Sequence, residues 1–136
     1  MRAAARAMHH VLFAHGTAID AMRAVGTRNL GIVLNLEKSE PASNSEADLS
    51  ACDFGDALFN RWYLGGVFKG EYPEVLTKWL EPYLPANYQA DMEVVSRPLD
   101  WLGINYYTRS LYKASTQPGR PVEHVKGDLE RTDIGW

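Results

Sequence analysis

Two short apolar runs limit what this chain can fold into more than anything else in it: Leu30-Gly31-Ile32-Val33-Leu34-Asn35, and Leu102-Gly103-Ile104-Asn105-Tyr106-Tyr107. Both begin Leu-Gly-Ile and both end their aliphatic stretch in asparagine. Continuous apolar runs of this length read as strands buried on two faces of a parallel sheet, here over residues 30–35 and 101–107. Side chains alternate along a strand, so in each run the glycine and the terminal asparagine share a side. In the second run Asn105 and Tyr107 share one face, and Ile104 and Tyr106 the other. If the Ile104 face packs on helices, an amide and a phenol point to an interior where buried polar groups need partners. A strand ending at an active site has this layout, and so does an antiparallel edge strand whose tyrosines cover a core.

At 136 residues the chain is long enough for one ordinary domain. Two strands neither close a barrel nor bury a sheet on both faces, so the expectation is part of a larger fold. Gly31 and Gly103 lie 72 residues apart. A (β/α)8 barrel of about 250 residues spends roughly 31 on each strand-helix unit, so a barrel would need a long insertion between these two strands. A formal net charge of −3, with 46% hydrophobic and 23% charged residues, offers no pull toward nucleic acid or an anionic membrane. No apolar run reaches the roughly 18 residues of a membrane span, and residues 1–6 lack the apolar core of a secretory signal, so the expected location is the cytoplasm. Cys52 has no second cysteine to pair with and is expected to be a small buried hydrophobe.

Residues 2–25 place Ala4, Met8, Val11, Leu12, His15, Ala18, Ile19 and Met22 at three- and four-residue steps, the pattern of an amphipathic helix that Gly26 ends. Helix, short loop, then strand is the αβ half of a parallel unit. His9, His10 and His15 do not form a metal set, since His10 and His15 are five apart and neither carboxylate nor cysteine completes them; helix packing is their expected role. Residues 36–45 are polar and contain Pro41, Ser43 and Asn44, which predicts a surface loop leaving the strand end. Asn44 or Ser45 caps a predicted helix over 46–63, residues 64–73 turn on glycines, and Pro73 opens a further helix to about Leu84. Residues 110–136 read as a long irregular loop with one short extended piece, and no solenoid repeat is present.

The order of motifs resembles the family 1 retaining β-glycosidases, whose best-known members are β-glucosidases. It runs through Ala14-His15-Gly16, Gly31-Ile32-Val33-Leu34-Asn35, Glu40-Pro41-Ala42, Asn60-Arg61-Trp62-Tyr63, Gly70-Glu71-Tyr72-Pro73, Asp100-Trp101-Leu102-Gly103-Ile104-Asn105-Tyr106-Tyr107-Thr108 and Gly135-Trp136. The resemblance implies an α/β fold, a partial (β/α)8 TIM barrel, with 30–35 as its fifth strand and 101–107 as its sixth. Residues 1–136 would then be part of a single TIM-barrel glycosidase domain, lacking the fourth and seventh strands. Members hydrolyse β-glycosidic bonds of small glucosides by double displacement, using an acid/base in an Asn-Glu-Pro motif on the fourth strand and a nucleophile in a Glu-Asn-Gly motif on the seventh. Neither motif occurs here.

Glu37, Glu40, Glu46 and Glu71 match non-catalytic positions of the family. Glu37 and Glu40 are close in sequence, but a retaining pair stands about 5–5.5 Å apart with one acid in an apolar setting, and a polar loop predicts two solvated charges instead. By resemblance Tyr107 hydrogen-bonds and orients the nucleophilic glutamate, Asn105 lines the pocket beside it, and Asn35 sits toward the leaving group. Trp62, Trp79 and Trp101 are expected in the core rather than stacked on sugar, with Trp101 standing where the family more often has phenylalanine. Asp100 is expected to be a cap or turn residue.

Neither a cofactor nor a metal is implied. The partners implied are a small β-glycoside and the remaining barrel segments or other copies of the chain. Two other readings stand beside the enzyme: a non-catalytic truncated fragment that self-associates or complements another barrel fragment, and a small unrelated α/β binding module. The resemblance also implies that the family's main contacts to the glycone hydroxyls come largely from strands outside residues 1–136.

Overall fold

A computed structural model describes residues 2–127, 130, 132 and 133; Gly135-Trp136 lies outside them. Three strands, β1 (Gly31–Pro41), β2 (Trp101–Ala114) and β3 (Val122–Val125), form one sheet in the order β1-β2-β3. The chain divides into two units, residues 1–34 with 61–104 and residues 35–60 with 105–136, so both long strands begin in the first and end in the second. In the first unit the Asp100 amide donates to the Leu30 carbonyl, and in the second the Ala42 amide donates to the Tyr112 carbonyl. Both bonds advance along β1 and β2 together, so these strands run parallel. β3 is antiparallel to β2, with Leu111 opposite Val125 and Tyr112 opposite His124.

The first unit is built on α1 (Arg2–Ala24), α3 (Trp62–Lys69), α4 (Glu74–Leu80), a 3-10 turn (Glu81–Tyr83) and α5 (Tyr88–Val95). The buried stripe of α1 is Ala5, His9, Leu12, Gly16 and Ile19. This corrects the predicted stripe, since Val11 is 63% exposed. The cause is Gly16: a Cβ there would collide with the Val94 carbonyl, so the missing side chain lets α5 approach the α1 backbone and turns that face inward. In an alanine-rich helix the neighbouring stripes are similarly apolar, and hydrophobicity alone does not choose between them. Trp62 is fully buried and stacks on Tyr72, ring centroids 3.6 Å apart. Gly65 and Gly66, predicted to turn, lie inside α3; Gly65 abuts the Glu71 carbonyl and Gly66 meets Leu12 and Tyr72. The reversal falls at Gly70, at φ 66°. At the strand starts Asp100 caps Leu30, its carboxylate accepting from the Leu30 amide at 2.7 Å, while Trp101 lies over Gly31 and donates its indole N–H to the Asn29 carbonyl.

The second unit holds α2 (Glu46–Asp56), capped by the Ser45 side chain accepting from the Asp48 amide. The helix runs on into a π-turn (Ala57–Arg61) instead of staying regular to residue 63. The predicted loop at 36–45 is also corrected. β1 continues to Pro41 because its polar residues find partners: the Asn60 side chain bonds both the amide and the carbonyl of Glu37. β2 likewise runs to Ala114, its last turnward amide donating to the Asp48 carboxylate. Tyr112 anchors this end, buried beneath Gly55 with His124 beside its ring.

Candidate functional site

Three residues singled out by the sequence fall in the second unit. The Asn105 side-chain amide donates to Oδ1 of Asn35 at 2.9 Å, so the asparagines that close the two aliphatic runs meet. Tyr107 follows two residues later on β2 and is 54% exposed; Tyr106 is 60% exposed and Ile104 58%. The Ile104 and Tyr106 face is therefore not covered by helices here, contrary to the layout the alternation suggested. Asparagine amides that both donate and accept suit sugar hydroxyls, and a phenol beside them suits a carboxylate or another hydroxyl.

Beyond the asparagine pair lies a group that sequence reasoning set aside. The Glu37 carboxylate accepts from the Ser110 hydroxyl at 2.8 Å and from the Tyr112 hydroxyl at 2.6 Å. Its backbone is held by Asn60, whose amide also donates to Asp56 at 2.7 Å. Burial, then the bond to Glu37, pushes the Tyr112 phenol well above its ordinary range. Glu37 is thus no solvated loop charge, and neither is Glu40. The Lys38 ammonium, 2.9 Å away, and then the Arg109 guanidinium hold the Glu40 carboxyl below the usual range. The signal that could have found these residues was the alternation itself, which continues past Asn35 in charged residues. No apolar stripe marks it.

In the first unit the His9 ring, fully buried, bridges the Tyr72 hydroxyl at 2.9 Å and the Asp91 carboxylate at 3.0 Å. It ties α1 to α5 and to the turn before α4, and burial, ahead of the Asp91 charge, holds the Tyr72 phenol far above its ordinary value. Burial lowers the His15 imidazole. Among the described residues no group of three or more His, Cys, Asp or Glu side chains is placed to hold a metal ion, and no helix is long and apolar enough to cross a membrane.

Residues 1–134 match the model of glycosyl hydrolase family 1. Among curated relatives, a β-glucosidase from an Agrobacterium species is 38% identical, aligned over 100% of this chain and 31% of its own length. β-Glucosidase A of Thermotoga maritima is 37% identical over 96% of this chain and 30% of its own. Among solved structures, the virulence factor SghA of Agrobacterium tumefaciens superposes with a TM-score of 0.92 at 36% identity, covering 100% of this chain and 31% of that one. The family 1 β-glucosidase of Thermotoga maritima gives 0.85 at 35% identity, covering 96% and 30%. The chain therefore spans about a third of the length of the relatives it matches.

Proposed function

The chain belongs to glycosyl hydrolase family 1 and carries part of that family's (β/α)8 barrel, and from this we propose that it is a portion of a retaining β-glucosidase that hydrolyses small β-glycosides. On this reading residues 1–136 lie within a single barrel domain and supply pocket-lining groups, while the two catalytic glutamates come from other strands. Asn35 and Asn105 meet sugar and leaving-group hydroxyls, and the Tyr107 hydroxyl donates to the nucleophilic carboxylate, orienting it for attack on the anomeric carbon and balancing its charge. The observation that supports the reading is the Asn105 to Asn35 bond, which brings together, on neighbouring parallel strands, the amides that close both aliphatic runs. The partners are a β-glycoside and the remaining barrel segments, or other copies of the chain, against the exposed Val33 and Ile104 of the first unit.

The test is to weigh the intact native polypeptide and to read the frame on either side of residues 1–136. Asn-Glu-Pro before and Glu-Asn-Gly after, in one polypeptide that releases aryl alcohol from aryl β-glucosides, is the expected result. A native polypeptide with neither motif overturns the reading.

A further inference from the structure

Asn35 and Glu37 lie two apart on β1 and share a face. Asn35 meets Asn105, whereas Glu37 meets Ser110 and Tyr112. Strict alternation along β2 would put Asn105 on the face opposite Ser110 and Tyr112, so the two sets of bonds are incompatible with an unbroken strand. The other face of β1 locates the break. Lys38 pairs with Glu40 and Glu40 with Arg109. Lys38 and Glu40 alternate with Asn35 and Glu37 and so take the opposite face of β1, which puts Arg109 on that opposite side as well. Asn105 and Arg109, four steps apart, then point to opposite faces, although four ordinary steps would keep them on one. One extra residue therefore lies between Asn105 and Arg109.

We propose that β2 carries a β-bulge at Tyr107–Thr108 and that Glu37 is the positioning residue that holds it, keeping Tyr107 on the face of Asn105. In a bulge two residues oppose one on the neighbouring strand, and the local kink re-aims a side chain; bulges between parallel strands are rare and need support. Glu37 supplies it from both ends. Its carboxylate grips the two hydroxyls just past the bulge, and its own backbone is fixed by Asn60, whose position depends on the extra residue of the π-turn. The consequence for catalysis rests on the role proposed for Tyr107.

The test uses the full protein that carries this segment, comparing Glu37→Gln, which retains an acceptor oxygen, with Glu37→Leu, which does not. Hydrogen exchange followed by mass spectrometry over 105–112 is expected to be about tenfold faster in Glu37→Leu and near the parent in Glu37→Gln. With an aryl β-glucoside, Glu37→Leu should lower kcat about tenfold with KM little changed, and should add nothing in a Tyr107→Phe background. If Glu37→Leu fails to fold, Ser110→Ala with Tyr112→Phe removes the same two donors while keeping the ring. Unchanged exchange overturns the clamp, and an undiminished further loss of kcat in the Tyr107→Phe background overturns the route through Tyr107. A parent with no turnover overturns the proposed function, while the exchange comparison still decides the clamp.

Discussion

The side chains of Asn35 and Asn105 are joined by a 2.9 Å hydrogen bond, although 70 residues separate them in sequence. Each ends the aliphatic run of its strand, and each brings an amide to the same place. That pairing gives the segment a polar centre, and it also shows how little chemistry the segment holds by itself.

The 136-residue chain alone should not hydrolyse aryl β-glucosides. Oriented amides and a phenol cannot replace both a carboxylate nucleophile and a carboxylic acid. Turnover by the purified chain, retained after contaminating glycosidase is removed, would show that the catalytic pair lies within it.

Gly16→Ala should destabilise the protein by about 2 kcal/mol or more, whereas glycine to alanine inside a helix ordinarily stabilises by about 1 kcal/mol. The sign reverses because the new methyl meets a backbone carbonyl, which cannot rotate away as a side chain does. Urea unfolding of the full protein measures it, and a higher midpoint for the variant would contradict the α1 to α5 packing.

Alkaline pH should unfold the protein through Tyr72 and Tyr112. Both phenols are raised in the folded state, chiefly by burial. Their contribution is complete below the unfolded-chain value of about 10 and declines as the pH rises above it, because only the unfolded chain then ionises. Circular dichroism against pH should show loss of structure beginning above about pH 10, with the onset moved upward in the Tyr72→Phe, Tyr112→Phe double variant. An onset unmoved by the substitutions would contradict their burial as the cause.

Size-exclusion chromatography with light scattering should find the isolated chain as an oligomer or aggregate. Val33, Trp101, Ile104 and Tyr106 are exposed on strands whose edges invite further pairing. Separately expressed flanking segments should change that state. A sharp monomer with cooperative thermal unfolding would mean that these strands are satisfied within the chain.

The strands, the parallel pair and the two asparagines were legible because aliphatic runs and their terminal polar residues are local signals. The Asp100 cap and the buried Trp62 followed from the same kind of signal. What stayed hidden depends on partners distant in sequence. Glu37 to Pro41 reads as loop until Asn60, Ser110 and Tyr112 are placed around it, and the inward face of α1 is chosen by one glycine against Val94. His9 looked like an ordinary helix histidine because its partners, Tyr72 and Asp91, lie 63 and 82 residues away. α5 (Tyr88–Val95) buries Met92 and Val95 in the first unit.

Comparing Tyr107→Phe with Tyr106→Phe in the full protein tests most directly whether this segment lends Tyr107 to a glycosidase pocket. Both changes keep the ring and remove one hydroxyl. Pre-steady-state release of the aryl leaving group should slow by about 10- to 1000-fold for Tyr107→Phe, through loss of one oriented hydrogen bond to the nucleophile, and far less for Tyr106→Phe. Equal effects from the two substitutions would contradict the account.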